Sequence, residues 1–118
     1  MIEYACAGHH PALQRRGDGS VQNLPSESSL PAGLDTEASY VLNRHDLVPG
    51  DVLFLYTDGV TEARNRGGEE YGLDRLRDAA AAPRASAAAY AEAALEDLQR
   101  FARDAAQHDD ITLLTVRF

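Results

Sequence analysis

The stretch Leu47-Val-Pro-Gly-Asp-Val-Leu-Phe-Leu-Tyr-Thr-Asp-Gly-Val-Thr-Glu-Ala-Arg-Asn65 decides the fold. Pro49-Gly50 suits the central positions of a type II turn, because proline presets the first φ and glycine accepts a positive second one. The run from Val52 to Tyr56 is apolar throughout, which predicts a strand over 51–57 buried on both faces. Asp58-Gly59 ends it, and the pattern turns polar over 59–70. Upstream, residues 2–7 predict a short strand that stops at Gly8-His9-His10-Pro11, and 12–16 with 20–24 predict a hairpin around Gly17-Asp18-Gly19. Residues 25–36 read as a loop rich in Ser and Pro, and 37–43 as a further strand around Tyr40 and Leu42.

Downstream the period changes. Leu73, Leu76 and Ala80 recur at helical spacing up to Pro83. Ser86 is placed to cap a second helix, whose apolar positions Tyr90, Ala94, Leu95, Leu98, Phe101 and Ala105 follow the i, i+3, i+4 rule. Gln107-His108-Asp109-Asp110 breaks that helix, and residues 111–117 close the chain as a strand. The expectation is an α+β fold of antiparallel strands plus two helices.

Composition narrows the function. The chain has 118 residues, 44% of them hydrophobic, with 11 basic against 19 acidic side chains and a net charge of −8. All the basic residues are Arg. The summed negative field argues against nucleic-acid binding, which rests on Lys/Arg neutralising phosphates. No apolar run approaches the ~20 residues of a membrane span. One cysteine, Cys6, excludes an intramolecular disulfide and fits a reducing cytoplasm. Within an apolar strand it reads as a buried, inert thiol.

Two acidic sites stand out by position. Asp58 ends the strand 51–57, while Asp109 and Asp110 begin the strand 111–117. If those strands are antiparallel neighbours, joined through the helices, both sites meet at one sheet edge, about 4.8 Å apart in strand spacing. Paired carboxylates resist ionising together, and a divalent cation removes that penalty. Oxygen donors select Mg²⁺, Mn²⁺ or Ca²⁺ over Zn²⁺. Spacing alone leaves a turn at Asp58-Gly59 and a helix-to-strand loop at Asp109 as the simpler reading.

The wording around the acids is more specific. Four blocks, Tyr4-Ala-Cys-Ala-Gly-His9 with Pro11, Pro49 to Ala63, Tyr71-Gly-Leu-Asp-Arg-Leu76 and Asp109-Asp-Ile-Thr-Leu-Leu114, occur in that order. Together they resemble the protein phosphatase 2C-like (PPM) metal-dependent serine/threonine phosphatases, in the SpoIIE/RsbU branch. The resemblance implies the C-terminal part of an αββα sandwich, with the N-terminal half of the domain and its further metal-ligand motifs absent from residues 1–118. It implies Asp58 and Asp109 as metal ligands, Asp110 as a neighbouring one, and Gly59 and His9 as supporting residues. It also implies two Mn²⁺ or Mg²⁺ ions and attack by a metal-bound water, with no protein nucleophile.

The implied substrate is a phosphorylated anti-sigma-factor antagonist in the bacterial cytoplasm, with no nucleic acid or membrane partner. On this reading the 118 residues alone are expected to be inactive, and the unpaired sheet face offers a dimer contact. The alternative is a non-catalytic remnant or partner-binding module. A haloacid-dehalogenase reading fails, since its nucleophilic Asp would fall at Tyr56. His10 reads as solvent-facing, His108 as a surface residue beside the acids, and Arg64 with Arg66 as a solvated pair beside the Asp58 segment.

Overall fold

The apolar run at 52–56 becomes an inner strand of a four-stranded antiparallel sheet. The computed structural model describes residues 1–118, the side chain of Ser28 excepted. Strands β1 (Ile2–Tyr4), β2 (Cys6–Ala7), β3 (Leu13–Arg15), β4 (Val21–Asn23), β5 (Ser28–Ser29), β6 (Asn43–His45) and β7 (Val52–Tyr56) come first. Helices α1 (Asp58–Thr61), α2 (Gly72–Ala81) and α3 (Ala87–Ala102) follow, and β8 (Leu113–Arg117) ends the chain. The main sheet has the order β4-β3-β7-β8; β1 pairs antiparallel with β6, and β2 pairs parallel with β5.

The turn chemistry is as the residues dictate. Gly50 takes a φ of +97° and the Asp51 amide donates to the Val48 carbonyl at 3.0 Å, closing the turn that launches β7. Gly19, at φ +89°, closes the β3–β4 hairpin with its amide on Arg16 O at 2.9 Å. The Ser86 hydroxyl accepts from the Ala89 amide at 3.1 Å and caps α3, and α2 stops just ahead of Pro83.

Alternation along β7 sorts the two faces. Val52, Phe54 and Tyr56 join Leu13, Val60, Leu76, Ala80, Tyr90, Ala94 and Leu98 in the core beneath α2 and α3. Phe54 meets Tyr90 edge to face, with centroids 5.9 Å apart. Leu53 and Leu55 point the other way, opposite Val116 and Leu114 of β8. That outer face divides. At β3 it is polar and covered: Gln14 donates to Asp51 at 2.8 Å and its oxygen meets His45 Nε2 of β6 at 2.8 Å. At β8 it is apolar, and Leu114, Val116 and Phe118 are exposed.

Three expectations needed correction. The strand expected over 37–43 forms instead at Asn43–His45, because pairing with β1 selects those residues and adds an Arg44–Glu3 ion pair at 2.8 Å. Tyr40, Val41 and Leu42 lie exposed outside it. The 25–36 loop contributes the two residues of β5, held by β2. The chain also has a third helix, α1, inside the stretch read only as polar. Among the described residues no helix is long and apolar enough to cross a membrane.

Candidate metal-binding edge

Register settles where the acids lie. Tyr56 pairs with Leu113, so the end of β7 and the start of β8 share one edge of the sheet. The two segments are then stitched together. The Thr57 amide donates to Thr112 O at 3.1 Å, the Thr112 amide donates to Thr57 Oγ1 at 3.1 Å, and that hydroxyl donates to Asp110 O at 3.2 Å.

Gly59 completes the junction. A Cβ built there would stand 1.9 Å from the Asp110 carbonyl oxygen and 2.7 Å from its carbon. Only the missing side chain lets the two backbones touch, so this glycine is required by close approach and not by an unusual φ. Residues 57 and 59 thus both bear on residue 110, and Asp58 lies between them.

Asp58 opens α1, where a carboxylate is favoured by the exposed amides of a first helical turn. Its Oδ1 accepts a hydrogen bond from His10 Nε2. Asp109 turns its own Oδ1 onto the Asp110 amide at 2.8 Å, and Gln107 Nε2 holds the Asp109 carbonyl at 2.8 Å. All three aspartates are exposed. The buried Tyr56 hydroxyl beside them is pushed up from its ordinary pKa, by burial first and by the Asp58 charge as well, with Arg77 opposing.

A cavity of about 680 Å³ opens next to this edge, lined by Gly59, Glu62, Arg64, Leu98, His108 and Asp109. Arg64 is neutralised there by Glu70 at 3.3 Å, and Arg66 stands 3.8 Å from Asp104.

Carboxylates from two chain segments, drawn to one solvent-facing edge, have the donor chemistry of a hard divalent cation. Among the described residues no three His, Cys, Asp or Glu side chains stand together as a full ligand set. Asp58, Asp109 and Asp110 thus supply part of such a ligand set: the backbone that carries them lies at one sheet edge, but the three carboxylates do not converge on one point.

His9 is a loop histidine met by the backbone: its Nδ1 lies 2.8 Å from the His10 carbonyl oxygen. His10 is exposed, as read, and its ring also reaches Asp58 and stacks on Tyr56. The one signal for that contact in the sequence was a second histidine before Pro11, which did not say which ring reaches Asp58. His108 lines the cavity and is exposed. Cys6 is buried as expected, its thiol donating to the His9 carbonyl at 3.0 Å.

This antiparallel sheet under paired helices has the fold of PPM-type (protein phosphatase 2C-like) phosphatase domains. The chain belongs to the Stage II sporulation protein E (SpoIIE) family, whose sequence model matches residues 1–118. Protein IcfG of Synechocystis sp. (strain ATCC 27184 / PCC 6803 / Kazusa) is 29% identical over 115 residues, 98% of this chain and 18% of that protein. The SiaA PP2C domain of Pseudomonas aeruginosa superposes with a TM-score of 0.72 at 28% identity, over 93% of this chain and 44% of that one. The RsbU and RsbW domains of Rv1364c from Mycobacterium tuberculosis superpose with a TM-score of 0.73 at 29% identity, over 98% and 31%. The chain spans less than half the length of each.

Proposed function

We propose that these residues form the part of a phosphoserine/phosphothreonine phosphatase in which Asp58 and Asp109 hold a divalent cation, Mn²⁺ or Mg²⁺, with Asp110 beside them. The observation that carries this reading is the Gly59–Asp110 backbone contact, which brings the two acidic segments together at the end of β7 and the start of β8. Two such ions, when bound, supply an activated water and positive charge for in-line attack on a phosphate monoester.

The chain's own contribution is positional. Thr57 and Gly59 hold the two segments in register, and the ionised carboxylates of Asp58 and Asp109 present oxygen donors to solvent. The remaining ligands would come from the portion of such a domain that these residues do not match, so the 118 residues by themselves would turn over little substrate.

The substrate proposed is a phosphorylated anti-sigma-factor antagonist, acted on in a bacterial cytoplasm. Family membership and the likeness to an RsbU domain favour it. The test is Mn²⁺-dependent dephosphorylation of a phosphoserine protein by the full-length protein. Asp58→Asn and Asp109→Asn should each reduce turnover to near background while the melting curve is retained. Turnover at the unsubstituted rate in either variant would remove that residue from the ligand set.

A further inference from the structure

The loop that carries His10 is built more firmly than a solvated loop requires. Gly8 adopts a φ of +77° and lies so close to Pro31 that a Cβ would stand 2.6 Å from Pro31 Cγ. The Cys6 thiol holds the next carbonyl, that of His9, at 3.0 Å. The His9 ring closes back on the His10 carbonyl oxygen at 2.8 Å. The His10 ring itself lies parallel to that of Tyr56, with 1° between planes and centroids 5.8 Å apart. Tyr56 is buried at the end of β7, so the surface under the imidazole is rigid.

From that seat His10 Nε2 reaches Asp58 Oδ1. An ionised carboxylate only accepts, so the proton sits on Nε2, a condition that the Nε2 tautomer and the imidazolium both meet. A carboxylate on a short, exposed helix start otherwise rotates among several orientations, and ordering it on cation binding costs free energy. A hydrogen-bonded partner beside a ligating carboxylate removes part of that cost, and losing one typically weakens metal affinity about 10–100-fold.

We propose that His10 is a positioning residue that orients the Asp58 carboxylate through Oδ1, leaving Oδ2 to face a divalent cation. This rests on Asp58 being a ligand. The stacked ring, the glycine packed on Pro31 and the thiol clamp all serve one end, the placement of a single N–H.

The measurement is Mn²⁺ binding to the full-length protein, followed by the electron paramagnetic resonance signal of the free ion, which needs no turnover. His10→Ala should weaken binding about 10-fold or more. His10→Gln, whose Nε2 can occupy the place of the ring nitrogen, should recover most of the loss. Unchanged or tighter binding by His10→Ala overturns the proposal, the tighter result marking His10 as a competitor for the oxygen. Equal weakening in His10→Ala and His10→Gln also overturns it, since the donor would then not be what matters. Asp58→Asn separates the two levels of the argument. If it binds Mn²⁺ normally, the ligand assignment itself is wrong; if it loses binding while His10→Ala does not, only the positioning role fails.

Discussion

Gly59 shows how one residue can join two parts of a site. Its Cα rests against the Asp110 peptide at a distance no other side chain permits. Gly59→Ala should therefore force the 109–111 segment away from the end of β7. An overpacking cost of about 1–3 kcal/mol is expected, visible as a lowered melting temperature. A variant that melts with the parent would mean the junction is loose. Asp58 and Asp109 could be singled out before any coordinates because acids at strand ends are conspicuous. His10 could not: its role depends on which of two adjacent rings turns towards Tyr56, a matter of loop geometry settled by Gly8, Pro31 and Cys6.

Among the elements, α2 and α3 are joined by a pair of contacts, the first partly buried and the second at the surface. The Tyr71 hydroxyl, just ahead of α2, donates to Asp97 of α3 at 2.6 Å, and the Arg75 guanidinium lies 4.4 Å from the centre of the Phe101 ring. Burial first, then the Asp97 charge and hydrogen bond, push the Tyr71 hydroxyl well above its ordinary pKa. The folded state thus holds this proton more tightly than the unfolded chain. Its contribution is complete below about pH 10, the unfolded value, and declines as pH rises beyond it. Tyr71→Phe should cost about 1 kcal/mol at neutral pH. It should also flatten the alkaline loss of stability in denaturant titrations at pH 9 to 11. An unaltered alkaline slope would show that another group controls it. Both helices were legible from their apolar period and the Ser86 cap. The strand β6 was not, because a three-residue strand is chosen by its partner and not by its own composition.

At the scale of the whole molecule, the main sheet is covered by helices on one face and only in part on the other. Gln14, Asp51 and His45 form a polar, buried contact beneath β6. Beyond it, Leu114, Val116 and Phe118 stand 55%, 37% and 46% exposed along the edge strand β8, enough to leave a continuous apolar row. Such a row on an edge strand favours association. The 118-residue chain is expected to self-associate in sedimentation runs as concentration rises. Leu114→Ser combined with Val116→Thr should shift it towards monomer. A monodisperse parent across the same range would count against this face as a contact.

What the residues settled without coordinates is what depends on local pattern. The strand at 52–56 follows from an unbroken apolar run, the two long helices from a 3.6 period, and the turn at Pro49-Gly50 from the φ each residue accepts. The acids at 58 and 109–110 also came from pattern, as did the family wording around them. Tertiary structure alone decided which distant backbones touch. The Gly59–Asp110 approach, the His10–Asp58 bond and the bare row on β8 each depend on sheet register and on the path of loops. Those contacts join residues about 50 positions apart, and no local preference of either partner encodes them.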